Sequence, residues 1–269
     1  MSNSHAVASA DTSMHPTATS EATDRKELAM AFRLAERFGF HEGICNHFSV
    51  RLPDENNDEN NEERYLINPY GVHWSEMTPE KLLLIDGDGQ VLKGQGVVED
   101  TARFIHVAGH RANSRHKAIL HTHQPWATAL TLLDQMEVRM AHQGAARFYE
   151  RIDYVSEFGG LAVSDEEGER LAKQVKSKQH IDVTFLAHHG VVVGASSISS
   201  AFDDLYYLER TCRQQVLAMQ TGIPLKDIPL PIIEKTARQI MRDRDSMAAE
   251  HFSALCRVLE NNPQHVFVF

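Results

Sequence analysis

The sequence has few cysteines, too few basic residues to balance its acidic ones, and no long apolar segment. Its three cysteines, Cys45, Cys212 and Cys256, are widely separated and form neither a CxxC pair nor an even disulfide framework, which suits a reducing compartment. Lysine and arginine number 27 against 37 acidic residues, and the net charge of -10 argues against nucleic acids and anionic membranes as partners. No apolar run approaches the roughly 20 residues that span a bilayer. We therefore expect a cytoplasmic protein.

The rest of the composition is that of a globular protein with tails. With 269 residues, 42% hydrophobic and 24% charged, the chain is long enough for one large α/β domain. Residues 1–22 are rich in Ser, Ala, Thr and His and lack the basic start and apolar core of a signal peptide, which predicts a disordered tail. We expect one domain over 23–222, followed by a proline-rich linker and a helical extension over 223–269.

Strand patterns alternate with helical patterns along the predicted domain. Asp24 and Glu27 resemble a capping box and predict a helix over 25–38. The acidic run at 54–63 predicts a solvated hairpin tip, with a cation-binding loop as the alternative. Further strands are predicted at 46–51, 65–68, 82–85, 91–92, 117–121, 183–187 and 191–194, helices at 101–112, 125–133, 165–176, 198–219 and 232–259, and irregular or extended chain at 150–163. This order indicates a mixed sheet covered on both faces.

Three histidines are candidate metal ligands. His121 and His123 end a predicted strand at positions i and i+2, so their side chains point to the same side. Such a pair is often no more than two unrelated histidines, but His189 directly follows another buried strand, where Gly190 would allow a tight turn. Ligands of α/β proteins collect at strand ends, so the three imidazoles could converge on one ion and leave a coordination position open. This is the arrangement of a catalytic zinc site, which other divalent metals also tolerate.

A set of short motifs, in a fixed order, resembles the class II aldolase/adducin superfamily over residues 25–222. The motifs are Asn46-His-Phe-Ser-Val-Arg51, Ile67-Asn-Pro-Tyr-Gly71, Arg103-Phe-Ile-His106, Leu120-His-Thr-His123, Ala187-His-His-Gly190 and the helix from Ala201 to Glu209. The resemblance implies a three-layer α/β/α fold with a central mixed, largely antiparallel sheet. It also implies a divalent metal on His121, His123 and His189, zinc first and manganese, iron or cobalt as alternatives. A homotetramer with active sites between subunits, acting on a small-molecule substrate, is implied as well.

The sequence departs from the sugar-phosphate aldolases of this superfamily at the phosphate cradle. Where those enzymes have Gly-Asn, Thr-Gly and Ser-Ser pairs, this chain has Asn46-His47, Tyr70-Gly71 and Asp100-Thr101. Asp100 would repel a phosphate dianion, and two hydroxyl donors are lost, so we expect a non-phosphorylated substrate. The candidate substrate-binding residues are Asn46, Asn68, Gly71, Asp100 and Thr101.

The aldolase glutamate is also missing, since Ala102 stands in its place. Glu99 lies three residues upstream and out of register, which makes it a weaker substitute than His47. An imidazole titrates near neutral pH and can transfer a proton, although a histidine hydrogen-bonded within the core is an equal alternative for His47. Of the other histidines, His106 is expected to face inward, His188 to point away from the site, and His110 and His116 to be exposed.

We therefore predict a metal-dependent lyase that performs aldol cleavage or decarboxylation through a metal-bound enolate. Its substrate would be a small hydroxy-carbonyl or carboxylate compound without a phosphate. Two alternatives stay open. A non-catalytic, adducin-like binding or scaffold domain is favoured by the Asn46-His47 pair and the missing glutamate, which adducin heads share. A metal-dependent sugar epimerase would use the same metal and related chemistry.

Overall fold

A computed structural model describes residues 20–53, 63–160 and 178–262, together with Gln264 and Phe267. The predicted tail, the acidic run and the predicted helix over 165–176 fall wholly or mostly outside these residues. The described strands are β1 His47–Arg51, β2 Arg64–Ile67, β3 Leu83–Asp86, β4 Val91–Lys93, β5 Ala118–Thr122, β6 Ile152–Val155, β7 Val183–Leu186 and β8 Gly190–Ala195. The described helices are α1 Glu21–Arg37, α2 Asp100–Ala112, α3 Pro125–Thr131, α4 Ile198–Met219, α5 Leu230–Arg242 and α6 Arg244–Asn261, with 3-10 turns at Trp74–Glu76 and Gln143–Phe148.

The eight strands form one sheet in the order β4-β3-β2-β1-β5-β8-β7-β6. Only β6 and β7 run parallel among the described pairs, so the sheet is mixed and largely antiparallel, as predicted. The alternation of β1 separates the two faces. Phe48 and Val50 join the large core beneath α1 and α4, whereas His47 and Ser49 face α2 on the other side. This confirms helices on both faces of the sheet.

The first helix begins earlier than predicted. The N-cap is Ser20, whose hydroxyl accepts a hydrogen bond from the Thr23 amide, and the helix starts at Glu21 rather than at residue 25. The predicted capping residue, Asp24, is instead buried and accepts a hydrogen bond from Lys117 Nζ at 2.8 Å. The capping-box prediction was wrong because a contact with a distant residue uses the Asp24 carboxylate.

In the second half of the chain, the stretch predicted to be irregular or extended at 150–163 contains an extended segment, β6, which pairs with β7 in the sheet. One prediction there is corrected. The single C-terminal helix predicted over 232–259 is two helices that change direction at Asp243, where φ is -114° and ψ is 13°. The break directs Arg244, the first residue of α6, into the protein, where it is 8% exposed.

A buried network of ion pairs holds the last helix, α6, to α4 and to the residue before β7. The carboxylate of Asp204, on α4, contacts Arg147 at 3.0 Å, Arg151 at 2.6 Å and Arg244 at 2.5 Å. Arg151 also contacts Asp182, just before β7, at 2.8 Å. Removing one partner would leave an unpaired buried charge, so the network fixes α6 against the domain. No helix in the described ranges is long and apolar enough to cross a membrane. The predicted boundaries at 22/23 and 222/223 stay predictions.

Candidate metal centre and proton-transfer site

His121, His123 and His189 come together where β5 ends beside the turn between β7 and β8. Their candidate ligand nitrogens all lie within 4.8 Å of one another. The three ring centroids are 5.0 Å apart for His121 and His123, 4.9 Å for His121 and His189, and 4.7 Å for His123 and His189. A single divalent ion fits among three imidazoles at such separations.

Hydrogen bonds turn two of these rings so that Nε2 is left free. Nδ1 of His121 donates to the carbonyl oxygen of Val191 at 3.0 Å, and Nδ1 of His123 contacts the Glu42 carboxylate. Nε2 of His123 is buried and has no hydrogen-bond partner. A buried nitrogen without a partner costs free energy unless a ligand satisfies it, and a metal ion would do so here. The residues present therefore fit a metal.

The protonation states also suit metal binding. Burial lowers the pKa of His121 well below its ordinary range, with the neighbouring histidines adding to the effect. Burial lowers the pKa of His189 to about 4. Both imidazoles are therefore neutral near pH 7, which is the form that binds a metal.

Glycine is required at position 190 because the Thr122 backbone and the His123 ring lie very close to it. The sequence-based interpretation, that Gly190 allows a tight turn, is therefore corrected. The left-handed residue of this turn is His188, with φ of 57°, and its side chain is exposed, outside the cluster. A Cβ at Gly190 would lie 2.4 Å from the Thr122 carbonyl oxygen and 2.7 Å from Cδ2 of His123. The absence of a side chain lets β8 lie directly against the His123 ring.

His47 lies beside the metal cluster and contacts a carboxylate that the sequence register argued against. Its ring centroid is 5.0 Å from that of His121, its partner in the pairing of β1 with β5. Nε2 of His47 lies 3.3 Å from Oε2 of Glu99 and 3.5 Å from Oγ1 of Thr101, and the Thr101 hydroxyl donates to the same carboxylate. Ala102 is buried in the small core with Tyr65. Glu99, the N-cap residue of α2, thus comes close to the site although it is out of register.

Nε2 of His47 and the carboxylate of Glu99 face each other across 3.3 Å. Burial lowers the pKa of His47, although Glu99 opposes this effect. The neighbouring His47 ring lowers the pKa of Glu99, and the Thr101 hydroxyl adds to that shift. A charged carboxylate only accepts hydrogen bonds, so with the proton of a neutral His47 on Nδ1 the two facing atoms are both acceptors. The Glu99 side chain is 33% exposed, so a donor on a bound molecule can reach it.

A line of buried polar side chains continues from His47 into α2. Nδ1 of His47 lies 2.7 Å from Nε2 of His106, whose Nδ1 lies 2.5 Å from Oγ of Ser49. Oγ of Ser49 is also 2.7 Å from Nε2 of His110, and Nδ1 of His110 is 2.9 Å from the carbonyl oxygen of His116. The prediction that His110 and His116 are exposed was wrong, since they are 0% and 6% exposed. Partners on other elements, among them Asp182 for His116, satisfy these buried rings.

The candidate substrate-binding residues differ in how many of their hydrogen-bonding groups are already used within the fold. Oδ1 of Asn46, a residue with φ of 79°, accepts from the amides of Glu42 at 3.1 Å and His123 at 3.4 Å, while its Nδ2 is buried without a partner. Asn68 uses both ends of its carboxamide within the fold, donating to the Asn46 carbonyl and accepting from the Phe48 amide. Asn46 therefore keeps a free donor, whereas Asn68 braces Asn46.

For the two remaining candidates, Gly71 and Asp100, the structure gives no side-chain position relative to the histidine cluster. Gly71 is exposed in a turn with φ of 85°, a backbone conformation that favours glycine, and nothing lies within 4 Å of a Cβ placed on it. Asp100 is the first residue of α2, and its side chain lies outside what the structure describes.

Comparison with known proteins places these features in a wider group. A family model described as Class II Aldolase and Adducin N-terminal domain matches residues 26–216. An adducin-related protein of Schizosaccharomyces pombe is 27% identical over 92% of this chain and 77% of its own length. Decarboxylase NovR of Streptomyces niveus is 29% identical over 79% of this chain and 75% of its own length.

Solved structures agree with the fold. An aldolase II superfamily protein from Pseudomonas syringae is 30% identical and has a TM-score of 0.80, with 93% of this chain and 95% of that chain covered. L-fuculose 1-phosphate aldolase from Glaciozyma antarctica has a TM-score of 0.75 at 21% identity, covering 90% of this chain and 91% of that chain. The second likeness concerns the fold alone.

Proposed function

The chain belongs to the class II aldolase and adducin N-terminal domain family, and we propose that it is a metal-dependent lyase. The reaction class is aldol cleavage or decarboxylation of a small, non-phosphorylated hydroxy-carbonyl or carboxylate compound. Members of this family include aldolases and decarboxylases, but also adducins, so membership alone does not decide the activity.

One observation carries the proposal: the buried Nε2 of His123, which has no partner, points to a ligand shared with His121 and His189. Zinc suits three imidazoles with an open position, and manganese, iron and cobalt are the alternatives. When bound, the metal would supply a Lewis acid that polarises a carbonyl or hydroxyl oxygen. Glu42 would hold His123 in the orientation that such binding needs.

The proton acceptor in this proposal is the pair of His47 and Glu99. With the proton of His47 on Nδ1, these groups present two acceptors 3.3 Å apart beside the cluster, and a substrate hydroxyl is the kind of donor that satisfies them. His47 would take the hydroxyl proton at Nε2, and the charge of Glu99 would stabilise the resulting imidazolium. Thr101 holds the carboxylate in place, and the free Nδ2 of Asn46 would donate to a substrate oxygen.

Charge favours a substrate without a phosphate. Glu42 and Glu99 already place two negative charges beside the three histidines, enough to balance a divalent ion. A phosphate dianion would add two uncompensated negative charges, whereas a neutral hydroxy-carbonyl compound adds none. The similarity to decarboxylase NovR agrees with carboxylate substrates as the second class.

Metal content tests the proposal. Purified protein, prepared without added metal and then reconstituted, is expected to bind one zinc, manganese, iron or cobalt ion per subunit. His121→Ala should abolish this binding while the fold stays intact, and His180→Ala, which alters an exposed histidine, should not. A stoichiometry near zero in the wild-type protein after reconstitution would overturn the lyase assignment.

A thermal-shift screen then tests the substrate class. The metal-loaded protein would be heated with sugar phosphates, hydroxy acids and aromatic carboxylates, since a compound that binds the native state raises the melting temperature. Stabilisation by a compound without a phosphate is expected. Stabilisation by sugar phosphates alone would show that the charge reasoning is wrong.

A non-catalytic, adducin-like domain is the second candidate, favoured by the likeness to the adducin-related protein of S. pombe over 92% of this chain. It predicts neither metal binding nor stabilisation by small molecules, so the same two experiments decide between the candidates. We also propose a homotetramer, on the family resemblance, and light scattering in solution tests it.

A further inference from the structure

The periodicities of a strand and of a helix bring together the line of buried polar side chains that begins at His47. His47 and Ser49 are two residues apart on β1, so both point to the face that α2 covers. His106 and His110 are four residues apart on α2, so both point toward β1. The four side chains are at most 3% exposed and alternate along a single line of hydrogen bonds.

The far end of the line fixes where every proton lies. The carbonyl oxygen of His116 can only accept, so Nδ1 of His110 must carry a proton. Burial lowers the pKa of His110 to about 3, and the ring is therefore neutral, with Nε2 as an acceptor. The Ser49 hydroxyl must then donate to His110 at 2.7 Å, and its oxygen is left to accept from Nδ1 of His106 at 2.5 Å.

The same reasoning reaches His47. Burial lowers the pKa of His106 well below its ordinary range, so this ring is neutral too. Since its proton is on Nδ1, Nε2 of His106 must accept, and Nδ1 of His47 must donate across 2.7 Å. In neutral His47 the lone pair therefore lies on Nε2, the atom that faces Glu99 and Thr101. Reversing any one hydrogen bond would place two donors or two acceptors against each other.

We propose that Ser49, His106 and His110 are positioning residues, which hold His47 with a proton on Nδ1 so that its Nε2 accepts a proton in the site. This inference rests on the proposed function in one respect, since His47 is the proton acceptor there. A purely structural purpose is a poor explanation, because apolar side chains of similar size would fill the space at no greater cost. The line instead gives His47 one orientation and one tautomer before a substrate arrives.

Histidine tautomers can be observed directly by NMR. Full-length, zinc-loaded protein would be labelled with 13C and 15N in histidine, and the His47 signals would be assigned by their loss in His47→Gln. The expected wild-type result is one neutral tautomer for His47, with the proton on Nδ1. A proton on Nε2 of His47, or an even mixture of tautomers, would overturn the proposal without any further variant.

Ser49→Ala tests whether the line causes this preference. Losing the hydroxyl frees His106 to reverse, so the His47 signals should move from the Nδ1–H position toward the average of the two tautomers. Ser200→Ala is the matched control, because Ser200 is 1% exposed and also donates one hydrogen bond, to Asp245 at 2.8 Å. It should cost similar stability and leave the His47 signals unchanged. An unchanged tautomer in both variants would show that Ser49 only supports the fold.

The outcome is separable from that of the proposed function. The tautomer is read without substrate or turnover, so a chain with the expected tautomer and no activity would leave the positioning role intact and remove the lyase assignment. A chain that binds metal and substrate but has the His47 proton on Nε2 would remove the positioning role and leave the lyase assignment intact.

Discussion

Replacing Gly190 by alanine is the sharpest test of how the fold shapes the metal centre. The added Cβ would lie 2.4 Å from the Thr122 carbonyl oxygen and 2.7 Å from Cδ2 of His123. The first contact is with backbone of a central strand, which cannot move without disturbing the pairing of β5 with β8. The second can be relieved only by moving the His123 ring, and Nε2 of that ring is a proposed ligand.

The expected cost can be separated into stability and metal affinity. Overpacking of this kind costs about 1–3 kcal/mol of unfolding free energy. Displacing one of three ligands should weaken zinc binding by about 10- to 100-fold, which corresponds to about 1.4–2.7 kcal/mol. The control is Gly222→Ala, where φ is 71° and no atom lies within 4 Å of the added Cβ. It should cost about 1–2 kcal/mol of backbone strain and nothing in zinc affinity.

Two measurements check this expectation. Denaturant unfolding of the metal-free proteins gives the stability change, and competition with a chelator gives the zinc affinity. The reasoning would be refuted if Gly190→Ala bound zinc as tightly as the wild-type protein, or if both variants lost affinity equally.

Three further perturbations test other contacts. Glu42→Ala should weaken zinc binding by about 10- to 100-fold, because His123 loses the carboxylate that orients it, and unchanged affinity in chelator competition would contradict this. Asp182→Asn should cost about 3–5 kcal/mol in denaturant unfolding, because Arg151 is left buried without this counter-charge, and a loss below 1 kcal/mol would argue against it. Burial raises the pKa of Glu209 to about 7, so the folded state holds a proton that the unfolded state releases, and stability should fall by roughly 3–4 kcal/mol as pH rises from about 4 to about 7. Denaturant unfolding at several pH values measures this loss, which Glu209→Gln should largely remove; an equal slope in that variant would exclude Glu209 as its source.

The features that the sequence predicted well are local ones. The alternation of His121 and His123 on a strand, and the helix over 198–219, depend on periodicities within a few residues. His189 was predictable as well, because strand ends collect ligands in folds of this kind. The same short periodicities identified each strand and helix, and their order along the chain indicated a sheet covered by helices on both faces.

The features that the sequence predicted poorly depend on partners far away in the chain. His110 and His116 were expected at the surface because nothing beside them shows that Ser49 and Asp182 will satisfy their rings. Glu99 was discounted because distance was counted along α2, whereas an N-cap side chain can fold back toward β1. The sequence did contain a signal for this contact. Glu99 lies two residues before Thr101 at the predicted start of a helix, and His47 lies on a predicted strand.

The pairing of the central strands also has a consequence for how the protein folds. His47 and His121 face each other in the register of β1 with β5, and His189 arrives only when the much later β7–β8 hairpin docks beside β5. A shift of one residue would turn His121 to the opposite face of the sheet. Three ligands therefore exist together only after these distant segments have assembled in register, a slow step because so much chain must be closed into loops. Only molecules with the correct strand register would therefore retain the metal tightly. The ion would stabilise these molecules and not those in which a strand is shifted by one residue.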